Sequence, residues 1–193
     1  MYSLQTSVQI DQVSFNIRNQ GDYRMVLDCF EALNDPELSK DERIYASLII
    51  FYEDFSDVTD FPKSSEQLNE LVLKMFEFFN QSEVVETGAQ SLRLIDWQKD
   101  SNLIISAVNN VANQEIRSVP YLHWWTFLGY YMAIGECPLS FIVSLRHKKA
   151  KNEKLEKYEK KFIQENPQYF NVDMRSVEQK EADEYIKQLW GNT

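Results

Sequence analysis

The histidines and cysteines are the side chains best suited to metal binding or nucleophilic catalysis, and none stands in a recognisable motif. His123 and His147 are far apart, with no cysteine or paired carboxylate at ligand spacing near either. Since a transition-metal site needs three or four converging ligands, this pattern does not predict one. Cys137 and His123 are a formal nucleophile pair, but no glycine-bounded turn or orienting partner accompanies them.

The acidic residues and glycines do not form a ligand-binding motif either. Asp54, Asp57 and Asp60 have the spacing of calcium ligands, but the glycine and the distal glutamate of an EF-hand are missing. Five scattered glycines cannot form a phosphate-binding loop. We therefore expect a protein that is not an enzyme and that uses no metal and no cofactor.

Composition limits the environment and the partners of this protein. The chain has 193 residues, is 44% hydrophobic and carries a formal charge of −10, which makes nucleic acid an unlikely partner. It contains no apolar run long enough to span a membrane. The first ten residues lack the basic and apolar regions of a signal peptide, and the two cysteines are unpatterned. We expect a cytoplasmic protein with reduced thiols.

An aromatic-rich stretch over residues 121–134, YLHWWTFLGYYMAI, is the most unusual part of the composition. Its apolar residues occupy nearly every side of the predicted helix, which is typical of the buried centre of a helical bundle. The alternative is a binding platform, since exposed aromatic residues often anchor partners. Trp124 and Tyr131 are the candidate partner-binding residues of this helix.

A basic stretch follows at residues 146–161, with eight basic residues against three acidic ones and a local charge of +5. It predicts either a solvated helix face or a protruding arm that binds an acidic partner, including a second copy; nucleic acid is a third interpretation. The pairs Glu153–Lys157 and Glu156–Lys160 have the order that stabilises a helix. The candidate partner-binding residues here are Arg146, Lys148, Lys149 and Lys151.

The periodicity of the apolar residues predicts a mainly α fold, a compact helical bundle with a small N-terminal β-hairpin at about residues 7–18. Asp22, Ser39 with Glu42, and Asp96 are predicted helix caps, and Pro120 a first helical residue. One long, partly protruding helix is predicted from Pro138 to about 165. These elements predict one domain over 1–165 and a C-terminal helical extension over 166–193, helical at 174–190.

Three blocks in this order resemble the siphophage "gene product fifteen" family of Gram-positive phages and prophages. The first is the hairpin followed by GDYRMVLDCFEALNDPELSKDERIYASLIIFYED, and the second is DWQKDSNLIISAVNNV. The third and most specific is VPYLHWWTFLGYYMAI followed by FIVSLRHKKAKNEKLEKYEKKF. Together they cover roughly residues 7 to 165. The segment after Pro167 extends beyond what the family shows.

The resemblance implies a role in phage morphogenesis, since members are typically encoded between the major tail protein and the tape measure protein. That position implies a tail assembly chaperone, a non-catalytic helical factor that binds the tape measure protein, tail tube subunits or both, and that self-associates. The alternative is a phage-encoded acidic protein that inhibits a host factor, in regulation or counter-defence. The resemblance carries no catalytic residue over to this chain.

Overall fold

A computed structural model describes residues 3–81 and 94–171 of the chain. Within those ranges it contains seven α-helices and one two-stranded sheet, which confirms the mainly α fold with a small hairpin. The described residues group into two compact units. Unit 1 comprises residues 3–81 with 108–133, and unit 2 comprises residues 94–107 with 134–171. Each unit is a continuous packed body built from two separate stretches of chain.

The predicted N-terminal hairpin is confirmed. Strand β1 (Ser7–Ile10) pairs with β2 (Val13–Asn16) in an antiparallel register that sets Ser7 opposite Asn16. Asp11 has a positive φ of 52°, which asparagine and aspartate tolerate better than most side chains and which lets two residues close the turn. The apolar side chains of β1 are buried, so the alternation that predicted the strand also set its register.

Unit 1 contains α1 (Tyr23–Asn34), α2 (Lys40–Phe51) and α3 (Ser65–Phe79), and α4 (Ser101–Ala112) runs from unit 2 into unit 1. The last helix of unit 1 is α5 (Trp124–Met132). The predicted caps of the first two helices are confirmed: the Asp22 carboxylate accepts the Arg24 amide, and Ser39 forms a capping box with Glu42.

The guanidinium of Arg18 caps the C-terminal end of α2. It donates to the carbonyl oxygens of Ile49, Ile50, Tyr52 and Phe55 at 2.9–3.2 Å. The last carbonyls of a helix have no partner within the helix, so a five-donor side chain at this end satisfies groups that would otherwise be left unpaired. Arg18 therefore ties the segment after the hairpin to the end of α2.

Two predicted helix starts are wrong because a turn intervenes. The Asp96 carboxylate accepts the amides of Gln98 and Lys99 and so caps a turn before α4. Helix α5 begins at Trp124 and not at Pro120.

Within the described ranges, no helix has both the length and the apolarity that a bilayer crossing requires.

Unit 2 contains α6 (Pro138–Ala150), α7 (Lys157–Glu165) and a 3₁₀ turn at Pro167–Tyr169. The single long helix predicted from Pro138 to about 165 is therefore wrong, because two helices occupy that range. The chain leaves the helix after Ala150, Asn152 takes a φ of 53°, and α7 begins only at Lys157. The predicted helix at 174–190 and most of the 166–193 extension lie outside the described residues.

Candidate partner-binding surfaces

The start of α1 and the start of α5 are joined by side chains that serve both. The Asp22 carboxylate accepts the Leu122 amide at 2.9 Å as well as capping α1. His123 accepts the Trp125 amide on Nδ1 at 3.1 Å, and its Nε2 lies 3.0 Å from the carbonyl oxygen of Gln5. With Nδ1 accepting and Nε2–H donating, the imidazole is neutral and both nitrogens are in use. His123 is therefore a buried structural cap.

The absence of a side chain at Gly21 lets Phe78 and His123 pack against the backbone at the start of α1. The φ of Gly21 is +80°, and a Cβ added there would lie 2.7 Å from Cζ of Phe78 and 3.0 Å from Nε2 of His123. Any side chain at this position would therefore strain the backbone and push the imidazole away from Gln5.

Acidification is expected to destabilise unit 1 through His123. Burial lowers the pKa of the His123 imidazole below its ordinary value of 6.5, against smaller opposing effects of the Gln5 carbonyl and Asp22. The unfolded chain therefore binds the proton first, so stability present above pH 6.5 is lost as the pH falls through that value. Urea unfolding at neutral and mildly acidic pH measures the loss. His123→Asn, which retains a capping side chain, should show a smaller loss, and an equal loss in both proteins would contradict the assignment.

The two tryptophans of α5 cap the C-terminal end of α3. Trp125 donates its indole N–H to the carbonyl oxygen of Phe78 at 2.8 Å, and Trp124 donates to that of Phe79 at 2.9 Å. Both carbonyls belong to the last turn of α3, where intrahelical donors run out. The Phe78 carbonyl also accepts the Gln81 amide at 3.2 Å. The adjacent tryptophans therefore perform for α3 the function that Arg18 performs for α2.

Trp124 is consequently not available as a partner-binding residue. It is 1% exposed, and its ring packs against Phe30 and Phe127. Tyr131 is half-buried, and Met132, at the end of α5, is 80% exposed. The interpretation of α5 as a core helix holds for its first half, whereas its second half reaches the surface.

Helix α3 presents an apolar surface that the sequence analysis did not assign. Leu73 is 62% exposed and Phe76 is 36% exposed, one turn apart on the same side of the helix. Phe78, in the same helix, is fully buried. The signal was available: apolar residues of α3 occupy more positions than one face of a helix can bury.

Arg146, a predicted surface residue, is the buried centre of unit 2, because its charge is fully compensated. It is 1% exposed and forms a two-pronged ion pair with the carboxylate of Asp100 at 2.6 and 2.8 Å. It also donates to the carbonyl oxygens of Leu94 and Tyr169 at 2.9 and 2.8 Å. Arg146 thus joins three stretches of unit 2 and offers nothing to a partner.

The lysines of the basic stretch divide into two groups. Lys148 is half-buried and donates to the buried carboxylate of Glu159 at 2.7 Å, which raises the pKa of the lysine and lowers that of Glu159. Lys149 and Lys151 are exposed. The predicted helical pairs of Glu153 and Glu156 do not form within a helix, because both residues precede α7.

The other residues singled out from the sequence have structural roles. Asp57 and Asp60 accept backbone amides of their own loop, and burial raises the pKa of the Cys29 thiol. Cys137 lies at the N-cap of α6. Among residues 3–81 and 94–171, no three His, Cys, Asp or Glu side chains converge in a geometry suited to a metal ion.

Comparison with known proteins identifies a family whose model matches this chain. The family model described as Bacteriophage Gp15 protein matches residues 2–171, a range that includes both units described above. No curated protein and no solved structure matches the chain. Since the family model spans most of the sequence, including the Trp124–Trp125 pair and the Arg146 centre, the chain belongs to the bacteriophage Gp15 protein family.

Proposed function

We propose that this phage protein is a non-catalytic tail assembly chaperone that acts in the bacterial cytoplasm and binds the tape measure protein, tail tube subunits or both. Membership of the Gp15 family supports a role in the phage particle or its assembly. The tail and the Gram-positive host are parts of the proposal that rest on the resemblance described above. The observation that carries client binding is the exposed pair Leu73 and Phe76 on α3.

The surroundings of this pair favour a helical client that carries both apolar and basic residues. Residues 3–81 with 108–133 contain 16 acidic and seven basic residues, a net charge of −9. Leu73 and Phe76 lie one turn apart. An amphipathic helix of the client would present its apolar residues at the same spacing, so the two sets could pack together. Apolar contact provides affinity, and the negative field around it attracts a basic chain and repels other acidic proteins.

Replacing the apolar pair is expected to abolish capture of the client. The variant Leu73→Gln with Phe76→Gln should keep its fold with at most a modest loss of stability, because Leu73 is largely exposed and Phe76 is partly exposed. It should fail to co-purify with tape measure protein expressed in the same cell. The matched control is Val58→Gln with Val111→Gln, which removes two exposed apolar residues elsewhere. Thermal melting of all three proteins checks the fold.

Two results would contradict the proposal. Tape measure and tail tube proteins that fail to co-purify with the wild-type protein exclude both clients. Equal capture by the α3 variant and the wild type places the binding surface elsewhere. Association with a host protein instead would favour the alternative, an acidic inhibitor of a host factor.

A further inference from the structure

Helix α7 has an exposed side that the described part of unit 2 leaves uncovered. Lys157, Lys160 and Lys161 have the i, i+3, i+4 spacing that places side chains on one side of a helix, and all three are exposed. Tyr158, three residues before Lys161, borders this side and is 62% exposed. Lys161 lies 3.6 Å from the exposed Glu165, whereas no carboxylate of the described residues lies within ion-pair distance of Lys157 or Lys160. We call Lys157, Tyr158, Lys160 and Lys161 the outer face of α7.

The lysines of the outer face do not stabilise α7 itself. Lys157 is the first residue of the helix and Lys160 lies in its first turn, where the helix dipole has its positive end. Cations at that end repel the dipole. The buried carboxylate of this helix, Glu159, already accepts from Lys148 at 2.7 Å. The outer face therefore carries positive charge that a negatively charged partner would neutralise.

The described chain ends beside α7. After the helix ends at Glu165, Phe170 is buried and its ring lies 6.3 Å from that of Phe162. The carbonyl oxygen of Tyr169 accepts from the buried Arg146 at 2.8 Å. These contacts fix the point from which residues 172–193 continue, close to the C-terminal end of α7.

The sequence of segment 172–193 complements the outer face of α7. Residues 178–184, EQKEADE, contain four acidic residues and one basic residue, a net charge of −3. The spacing of the apolar residues predicts a helix over 174–190. In such a helix Glu178, Glu181 and Tyr185 share one side, because their spacing is i, i+3, i+7. Carboxylates and an aromatic ring on one side of a helix suit a face made of lysines and an exposed tyrosine.

We propose that segment 172–193 docks on the outer face of α7 of the same molecule. Charge complementarity and connectivity specify this occupant. Because the segment is joined to unit 2 next to α7, its effective concentration at the outer face exceeds that of a second copy in dilute solution.

The length of the segment fits the face. Helix α7 has nine residues, so about nine helical residues running in the opposite direction return to the level of Lys157. A direct return brings residues 178–184 level with about residues 153–159. The carboxylates then neutralise Lys157 and Lys160, and Val177 and Ala182 cover the ring of Tyr158.

The docked segment would compete with any acidic partner for the lysines of α7. This contact does not rest on the client binding proposed above, because α3 belongs to unit 1 and the two proposals are tested by separate variants.

Hydrogen exchange of the full-length protein, measured by mass spectrometry on peptides from 172–193, tests the proposal. The amides of residues 178–190 should be protected at about 50 mM salt and less protected at about 500 mM, because exposed ion pairs are screened. Lys157→Glu with Lys160→Glu should raise their exchange rate at least about tenfold. Glutamate is favourable at a helix N-terminus, so this variant should retain α7, and unchanged exchange in α6 checks the fold. Lys157→Gln with Lys160→Gln, which adds no charge repulsion, should also raise the rate.

Charge exchange within one chain gives the decisive comparison. Glu178→Lys with Glu181→Lys should also lose protection. Combining these two substitutions with Lys157→Glu and Lys160→Glu in one chain should restore it, because the opposite charges face each other again. Mixing the two double variants should not restore protection. Restoration on mixing would show that the segment docks on a second copy, which overturns the proposal.

A matched control separates the contact from the change in net charge. Lys63→Glu with Lys99→Glu makes the same change at two exposed lysines outside α7 and should exchange like the wild type. The proposal is overturned if residues 178–190 are unprotected in the wild type or if the control loses as much protection as the α7 variant. It is also overturned if the chain with all four substitutions stays unprotected.

Discussion

Replacing Arg146 with alanine is expected to destabilise unit 2 by about 3–5 kcal/mol, the cost of leaving one member of a buried ion pair without the other. The side chains of Arg146 and Asp100 are 1% and 2% exposed, so water cannot replace the lost guanidinium. The carbonyl oxygens of Leu94 and Tyr169 lose their donor in the same variant. Hydrogen exchange of the α6 and α7 amides measures the effect where it arises, independently of unit 1.

Two further variants separate the ion pair from general effects of mutation. Lys99→Ala removes an exposed lysine near the pair and should change stability by less than about 0.5 kcal/mol. Arg146→Met with Asp100→Leu removes both charges and should lose less than Arg146→Ala, because no buried charge is left unpaired. An Arg146→Ala protein with unchanged exchange rates in α6 and α7 would show that the pair contributes little to unit 2.

Replacing Trp124 with alanine is expected to destabilise unit 1 by a similar amount, about 3–5 kcal/mol for a fully buried large side chain. The loss combines a cavity between Phe30 and Phe127 with an unpaired carbonyl at the end of α3. Trp125→Ala should lose less, because that ring is only half-buried. Chemical denaturation monitored by circular dichroism gives the free energies of unfolding.

The variant Trp124→Phe separates the two contributions. It retains an aromatic ring in the core but cannot donate to Phe79, so its cost should be about 1–3 kcal/mol, that of a buried acceptor left unpaired. A Trp124→Ala protein that unfolds at the wild-type denaturant concentration but no longer binds its client would reverse the assignment. Trp124 would then be a contact residue and not a core residue.

Sequence reasoning succeeded where the determining interactions are local. The hairpin follows from alternation over ten residues, and the capping box of α2 from two residues three positions apart. The break between α6 and α7 has no such signal, because the stretch around Asn152 is rich in lysine and glutamate, which favour helices. Two contacts between distant residues stabilise the turn instead, the ring contact of Phe141 with Phe162 and the Lys148–Glu159 ion pair.

The candidate surface was harder to predict than the fold, for a physical reason. Arg146 is chemically indistinguishable in sequence from the lysines around it, and only the distant Asp100 makes its burial favourable. Trp124 was correctly placed in a core helix but also named as a contact residue, since composition alone does not separate its two sides. Surface exposure depends on which neighbours cover a residue, and those neighbours are remote in sequence.

The discontinuity of unit 1 has a consequence for synthesis of the chain. Residues 3–81 leave the ribosome well before residues 108–133, which supply the indole donors for Phe78 and Phe79 and the imidazole donor for Gln5. Until residues 108–133 have emerged, the carbonyl oxygens of Phe78 and Phe79 lack their indole donors, and the apolar end of α3 is exposed to solvent. Domains generally fold as units during translation. Unit 1 should therefore become protease-resistant only after residue 133 has emerged, so truncation before α5 should yield an aggregation-prone nascent product.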